Sequence, residues 1–200
     1  MNIDTRTKDD THEALLGEYR ELLSLVTERR DARQSCVEFL EAETTWLTAP
    51  ASTRFHLSVP SGLLRHSVNV ARTLLQLRST LAPEVSEESC VLCGLFHDLG
   101  KVGMPGTPYY LPNPDQWQVR NRGVRYIVNR SLAHMDIATR SLFLLAGKIP
   151  LTDEEAQAIR YHDGQYIEEN RSVAHREVPL TRLLQYADNW AGGVLEGVRS

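Results

Sequence analysis

The chain has 200 residues, of which 42% are hydrophobic and 24% are charged, a composition typical of a globular domain. Its formal net charge of −4 argues against a nucleic-acid coat protein, which would carry a basic field, so nucleic acid is not expected as a partner. The sequence shows no apolar run long enough for a membrane span and no secretory signal, so no membrane partner is expected. Its three cysteines, an odd number, favour a reducing cytoplasm over a disulfide scaffold.

Helical periodicity dominates the first part of the chain. Residues 1–11 are polar and are predicted to form a flexible tail. Residues 12–50 are predicted to form a helical extension, with amphipathic helices over 12–30 and 31–47. A longer apolar stripe predicts a third helix over residues 61–81. The extension is expected either to cover the domain that follows or to build a dimer face. In the second case the chain would form a homo-oligomer.

The rest of the chain alternates predicted helices with loops. Ser86 is a candidate N-cap, and Thr152 with Glu155 forms a capping-box pair. Helices are predicted over residues 86–99, 135–149, 152–162 and from Pro179 onward. Residues 100–120 hold four prolines and three glycines, which predicts a long functional loop such as a lid. Because no strand-like alternation of useful length appears, the predicted fold class is all-α, with a single helical bundle over residues 51–200 behind the N-terminal extension.

Histidine and carboxylate side chains occur beside apolar helical stripes. His66 and Asp188 each lie one helical turn from apolar residues on either side. His97 and Asp98 follow each other at a predicted helix end. An unpaired carboxylate that faces a core is costly, and such groups converging from separate helices of a bundle are a standard way of holding a metal. Mixed imidazole and carboxylate ligation favours Mn, Fe, Zn, Co or Ni over Ca.

The residues around these groups resemble the motifs of the HD superfamily of metal-dependent phosphohydrolases. Residues 62–71 (Gly-Leu-Leu-Arg-His-Ser-Val-Asn-Val-Ala) are similar to its first motif. Residues 95–101 (Leu-Phe-His-Asp-Leu-Gly-Lys) resemble the doublet that names the superfamily, and residues 186–189 (Tyr-Ala-Asp-Asn) resemble its closing aspartate motif. The resemblance spans about residues 55–195 and implies a single HD-domain helical bundle.

The resemblance implies a metal-binding role for four side chains: His66, His97, Asp98 and Asp188. In this assignment Asp98 bridges two ions. His134 and His162 look like the further ligands of a two-metal subset, which includes the HD-GYP phosphodiesterases and a group of diadenosine tetraphosphate hydrolases. One or two divalent ions are therefore expected, from among Mn, Fe, Co, Ni, Zn and Mg. Two such ions can share a water, lower its pKa and direct the resulting hydroxide at phosphorus.

Candidate substrate-binding residues cluster in and after the proline-rich loop. Lys101 could add positive charge beside a phosphoryl group, which makes it, with Asp98, a predicted catalytic residue. His56, ten residues before the first motif histidine, occupies a position that lines the site in some HD hydrolases. Cys90 and Cys93 are predicted to be small buried residues, since a structural zinc would need a second ligand pair. The remaining candidates are arginines to grip phosphate and aromatic rings to stack on a base: Arg120, Arg122, Arg125, Tyr109, Tyr110 and Trp117.

The expected activity is metal-dependent hydrolysis of phosphoester or phosphoanhydride bonds in a small phosphorylated substrate. Small nucleotides fit the compact domain: dNTPs, NMPs or dinucleoside polyphosphates. One alternative is a phosphodiesterase acting on cyclic nucleotides or nucleic-acid 3′ ends, which a strong salt dependence of substrate binding would favour. A second alternative is a non-catalytic regulatory module on the HD scaffold, which the absence of any affinity for metal would favour.

Overall fold

The computed structural model describes residues 12–197, so the predicted tail over residues 1–11 lies outside the described residues. The described part confirms the all-α class. Its α-helices are α1 (His12–Ser24), α2 (Arg30–Glu43), α3 (Gly62–Leu81), α4 (Glu87–Phe96), α5 (Gln116–Arg122), α6 (Ile137–Leu145), α7 (Asp153–Arg160) and α8 (Pro179–Trp190). Within residues 12–197, no helix combines the length and apolarity that crossing a membrane requires.

The proline-rich segment after α4 is more structured than its sequence predicts. Strands β1 (Gly103–Met104) and β2 (Thr107–Pro108) form one antiparallel hairpin, and β3 (Tyr110–Pro112) pairs antiparallel with β4 (Tyr126–Val128). The expectation of no strand is therefore wrong here. Strands of two or three residues are too short to show the alternation by which a strand is recognised in a sequence.

The central layer is the packing of α3 against α4, with α8 on the same side of α3. Gly94 allows α3 and α4 to approach closely, because a Cβ at this position would lie 2.5 Å from the Ala71 Cα. Only a residue without a side chain fits such a contact. Since Gly94 lies one turn before His97, this close approach also brings His97 towards α3.

Two local signals in the sequence are confirmed. The Ser86 side chain accepts a hydrogen bond from the Ser89 amide at the start of α4. The Thr152 hydroxyl accepts from the Glu155 amide, and the Glu155 carboxylate accepts from the Thr152 amide, which makes the capping box of α7. The predicted helix over 86–99 ends earlier, at Phe96, and a 3₁₀ turn over Leu99–Val102 follows.

The N-terminal helices α1 and α2 belong to the same hydrophobic core as the rest of the described chain. The Trp46 indole donates a buried hydrogen bond to the Tyr19 hydroxyl. At the turn between α1 and α2, the Arg29 guanidinium pairs with Glu88 on α4 and with Glu155 on α7. These contacts fix the extension to the helices behind the candidate site, while the predicted boundary at residue 50 stays a prediction.

Candidate metal centre

Four segments bring the predicted ligands together. His66 comes from the first turns of α3, and the His97–Asp98 doublet lies directly after α4. His162 follows the end of α7, and Asp188 lies in α8. The two residues of the doublet, His66 and His162 are all buried, whereas the Asp188 side chain is partly exposed. The cluster therefore lies inside the bundle with one side towards solvent.

The donor atoms of these side chains converge within hydrogen-bonding distance or slightly more. The His66 Nε2 lies 3.1 Å from the Asp188 Oδ1, 3.3 Å from the His97 Nε2 and 3.6 Å from the Asp98 Oδ2. The other oxygen of Asp98, Oδ1, lies 3.5 Å from the His162 Nε2. Asp98 thus faces two histidines with one oxygen and a third histidine with the other, as its predicted bridging role requires.

The orientation of each imidazole is set by the contact at its Nδ1 atom. The Nδ1–H of His97 donates to the Gly94 carbonyl at 3.0 Å, and the Nδ1–H of His162 donates to the Ile159 carbonyl at 2.8 Å. The Nδ1 of His66 lies 3.0 Å from a carboxylate oxygen of Glu196. In each ring the Nε2 is therefore the atom that faces the cluster, which is the arrangement that second contacts impose on metal-binding histidines.

Opposing charges hold the cluster together in this structure. Burial disfavours a charged His66, but its contacts with Asp188 and Glu196 outweigh that effect and raise the pKa of His66 to about 10. Burial lowers the pKa of His97 to about 4. Burial acts to raise the pKa of Asp98, yet Lys101 and His97 together hold it well below its ordinary value. The carboxylate is thus ionised, as a metal ligand must be.

The chemistry of this donor set fits a divalent cation. Two imidazole nitrogens that face each other at 3.3 Å need a proton or a cation between them, since two lone pairs repel. Four groups of ligand atoms among the described residues lie within 4.8 Å of one another, and two of them consist of predicted ligands alone: His66, His97 and Asp188, and His97, Asp98 and His162. Buried imidazole and carboxylate donors together suit Mn, Fe, Co, Ni or Zn.

The glycine and serine around the doublet explain how its backbone is held. A Cβ on Gly100 would lie 2.2 Å from the Ile137 carbonyl oxygen, so the turn after the doublet requires glycine. The buried Ser141 hydroxyl of α6 accepts from the Gly100 amide at 2.7 Å and donates to the His97 carbonyl at 2.8 Å. Ser141 therefore anchors the doublet to α6.

His134 is not brought into this cluster. Its side chain is exposed, and it belongs to none of the ligand groups found among the described residues. The carboxylate of Asp163 lies beside His162 instead. His162, Asp163 and Asp188 form a further group whose ligand atoms lie within 4.8 Å of one another. Sequence analysis missed Asp163, although it follows His162 as a second His-Asp pair. The role of His134 stays a prediction.

The predicted arginines make their contacts away from the cluster. Arg120 donates to the Gln116 carbonyl, Arg122 lies over the ring of Trp117, and Arg125 donates to the Ser58 carbonyl. All three are exposed, as is Trp117. In the described part of the chain, none of these contacts reaches a candidate ligand, so their role in binding substrate stays a prediction.

Lys101 and the two predicted tyrosines lie closer to the cluster. The Lys101 ammonium donates to the Asp98 Oδ2, and burial, opposed by this contact, leaves the pKa of the lysine above its ordinary value. Burial raises the pKa of Tyr110 to about 12, with Lys101 acting in the opposite direction. Tyr109 packs edge-on against Tyr110 and lies under the guanidinium of Arg140. Lys101 and Tyr110 thus form one wall of the cluster.

His56 also lies beside the cluster, as expected from its position in the sequence. Its ring centre is 5.2 Å from that of His66, and its Nε2 lies 3.9 Å from the Glu196 carboxylate. Burial lowers the pKa of His56, and the neighbouring His66 lowers it further. Sequence analysis missed Glu196, which contacts both histidines. Its only local signal is the helix-breaking pair Gly192–Gly193 shortly before it.

A cavity of about 520 Å³ opens onto one side of the cluster, between the segment after α7 and the outer face of α8. Its lining includes the candidate ligands His162, Asp163 and Asp188. Ile167, Arg182 and Asn189 also line it, among others. Its volume lies within the range of small-molecule sites. The cavity therefore gives a substrate direct access to the candidate ligands.

Comparison with known families agrees with this geometry. The model of the HD domain family matches residues 63–192, which is more than half of the chain and includes the doublet, His162 and Asp188. The chain belongs to the HD domain family. HD domains are typically metal-dependent phosphohydrolases and bind divalent metals. No curated protein and no solved structure matches this HD-domain chain.

The cysteines play no part in the centre. Cys36, Cys90 and Cys93 are all buried and unpaired. Burial raises the pKa of Cys90 to about 12 and that of Cys93 well above its ordinary value. Neither cysteine of the Cys-x-x-Cys pair belongs to a ligand group among the described residues. The prediction that they are small buried residues is confirmed.

Proposed function

We propose that this HD-domain chain hydrolyses phosphoester or phosphoanhydride bonds of small nucleotides, with one or two bound divalent ions. The observation that carries the proposal is the convergence of imidazole and carboxylate atoms from α3, the end of α4 and α8. The histidines and Asp98 are buried, and Asp188 lines an open cavity together with His162 and Asp163. Such a constellation, beside a cavity of suitable size, is what a metal-dependent hydrolase requires.

The first ion would be held by four side chains: His66, His97, Asp98 and Asp188. When bound, a divalent ion lowers the pKa of water and offsets negative charge on a phosphoryl group. The three histidines present Nε2 because their Nδ1 atoms are engaged elsewhere. The protein thus orients these donors before an ion binds, and binding would release the proton from the Nε2 of His66.

A second ion would lie on the side of Asp98 that faces His162. The donors available there are the Asp98 Oδ1, the His162 Nε2 and the Asp163 carboxylate. Asp163 is therefore a candidate ligand at this position, whereas the predicted ligand His134 does not lie among these donors. Burial raises the pKa of Asp163, with His162 acting in the opposite direction and the carboxylates of Asp98 and Asp188 raising the pKa further.

Lys101 would act on the phosphoryl group or on the carboxylate that bridges the ions. Its ammonium already contacts the Asp98 Oδ2 and lies close enough to Asp188 and Tyr110 to influence their charges. A bound phosphoryl group at this wall would be met by a fixed positive charge in a partly buried place. The organic part of the substrate would extend into the cavity past Asn189 and Arg182.

A substrate screen tests this proposal. The purified chain is stripped of metal. It is then assayed with Mn, Co, Ni, Mg and Fe on dNTPs, NMPs, dinucleoside polyphosphates, cyclic nucleotides and short oligonucleotides. Released phosphate or nucleoside is measured. We expect turnover of a small nucleotide that depends on added metal and is lost in Asp98→Ala. Turnover only of cyclic nucleotides or nucleic-acid ends would favour the phosphodiesterase alternative. Full activity of Asp98→Ala, or no binding of any metal, would contradict the proposal.

A further inference from the structure

A buried carboxylate lies directly behind the first histidine of the centre. The side chain of Glu196 is only 2% exposed. One of its oxygens lies 3.0 Å from the His66 Nδ1, and the other accepts a hydrogen bond from the Asn69 Nδ2 at 2.8 Å. His66 and Asn69 are one turn apart on α3, within the first motif. Glu196 therefore contacts the motif from the side opposite the candidate metal.

The backbone after α8 has the geometry needed to place this carboxylate. The helix continues over Ala191–Leu195 as a wider π-helical turn, and the Glu196 amide donates to the Ala191 carbonyl five residues earlier. Such turns in helices occur frequently at functional sites. Asp188, before this turn, lies 3.1 Å from the Nε2 of His66, and Glu196, after it, meets the Nδ1 of the same ring.

Glycine at position 192 is part of the same arrangement. A Cβ at Gly192 would lie 3.8 Å from the His56 Cε1, an ordinary van der Waals contact, so Gly192 lies beside the histidine that also faces Glu196. Glu196 lies beyond residues 63–192, which are the residues that match the HD family model. The contact is therefore a property of this chain's own C-terminal segment.

We propose that Glu196 is a positioning residue that completes a carboxylate–histidine–metal arrangement at His66, an inference that rests on the proposed metal centre. A neutral imidazole carries one proton, and a carboxylate at Nδ1 holds that proton there and leaves the Nε2 lone pair for a metal. His97 and His162 have neutral carbonyls at the same position. His66 is thus the histidine whose Nδ1 faces a full negative charge, which makes it the strongest imidazole donor of the three.

The test compares metal affinity in Glu196→Gln with that in a matched control. Glu168→Gln makes the same chemical change at a side chain that is 80% exposed and forms only a surface ion pair with Arg171. The metal-free chain is titrated with Zn²⁺ against a competing chelator. Loss of a contact behind a ligand typically weakens metal binding about 10–100-fold. We expect that loss in Glu196→Gln and a wild-type dissociation constant in Glu168→Gln.

A purely structural role would give a different result. If Glu196→Gln lowers the thermal midpoint of the metal-free protein but binds Zn²⁺ as tightly as Glu168→Gln, the inference is overturned. A second measurement needs no variant: ¹⁵N-histidine NMR of the zinc-loaded wild-type chain should show the His66 proton on Nδ1. A proton on Nε2 would also overturn the inference.

The outcome is separable from that of the proposed function. If the wild-type chain binds metal and hydrolyses a nucleotide but Glu196→Gln is unchanged, only the role of Glu196 fails. If the wild-type chain binds metal tightly through His66 and Glu196→Gln weakens it, while no phosphate ester is cleaved, the role of Glu196 stands and the hydrolase proposal fails. A wild-type chain that binds no divalent metal contradicts both.

Discussion

Two buried charged clusters lie in this bundle, and they differ in how their charges are satisfied. In the first, which we call the Arg29 cluster (Arg29, Glu88 and Glu155), every group is paired. The Arg29 guanidinium donates twice to Glu155, at 2.7 Å each, and once to Glu88 at 2.6 Å. The remaining Glu88 oxygen accepts hydrogen bonds from two backbone amides, those of Thr27 and Glu28, in the turn between α1 and α2. This cluster needs nothing from solution.

The second, the ligand cluster (His66, His97, Asp98, His162 and Asp188), is not closed in this way. Its imidazole nitrogens face one another and two carboxylates at 3.1–3.8 Å, with their other nitrogens already engaged. The difference shows how a buried charged cluster that stabilises the fold can be distinguished from one that serves a function. A closed cluster stabilises the fold, whereas a cluster whose donor atoms point at a common centre is built to receive a cation.

The largest expected effect comes from removing the bridging charge of the ligand cluster. Asp98→Asn keeps the side-chain shape but loses the charge that faces three histidines and Lys101. We expect the hydrolysis rate to fall at least about 10³-fold, because charge stabilisation at the reacting group is lost. Far-UV circular dichroism should remain that of a helical protein. The matched control is Asp153→Asn at an exposed position. A hydrolysis rate within tenfold of wild type in Asp98→Asn would mean that the charge of Asp98 is not needed for catalysis. The ligand cluster would then no longer differ from the Arg29 cluster in function.

The next effect concerns the Arg29 cluster and should appear in stability alone. Glu155→Gln leaves Arg29 without its bidentate partner in a largely buried place. We expect the free energy of unfolding, measured with urea, to fall by about 3 kcal/mol. The neighbouring exposed Glu154→Gln should change it little. The affinity for metal should be unchanged in both. A weaker metal affinity in Glu155→Gln would show that the two clusters are coupled.

A smaller effect is expected at the serine that anchors the doublet. Ser141→Ala leaves the buried Gly100 amide without its acceptor. We expect a loss of about 2 kcal/mol in the free energy of unfolding, the usual cost of an unsatisfied buried group. Ser79→Ala, at an exposed serine on α3, is the control. Equal stability of the two variants would mean that water replaces the hydroxyl of Ser141.

The smallest effect is the pH dependence of the Arg29 cluster. Burial opposes ionisation of Glu155, but Arg29 outweighs it and lowers the pKa of Glu155 below its ordinary value. A carboxyl with a lowered folded-state pKa contributes its full stability above its unfolded pKa, about 4.3. That contribution is lost as pH falls through the folded-state value. The difference in urea stability between wild type and Glu155→Gln should therefore be constant from pH 7 to 5 and narrow below about pH 4. A difference that is the same at pH 3.5 and pH 7 would contradict this account.

The sequence was most informative where local pattern and chemistry coincide. His66 and Asp188 lie on apolar helical stripes, and the doublet is followed by Gly100, so their convergence could be predicted. Ser86 and the Thr152–Glu155 pair are local hydrogen-bonding signals that act within one turn, and the structure has both. Interactions that act within one helical turn can therefore be predicted from a single sequence.

The site residues and strands that sequence analysis missed depend on the path of the backbone between the helices. Glu196 reaches His66 after a π-helical turn that follows α8, and hydrophobic periodicity in the sequence does not predict such a turn. Asp163 enters the site through the loop after α7. The strands of the proline-rich segment are two or three residues long, and β3 pairs with β4 across the intervening helix α5. These are long-range outcomes of packing, which composition and spacing do not determine.

The most direct test of the central claim is an anomalous diffraction map from crystals of the full chain soaked in Mn²⁺. The account predicts a strong peak bonded to the Nε2 atoms of His66 and His97 and to carboxylate oxygens of Asp98 and Asp188. A map in which these four side chains are well ordered and no anomalous peak lies among them, at millimolar Mn²⁺, would contradict it.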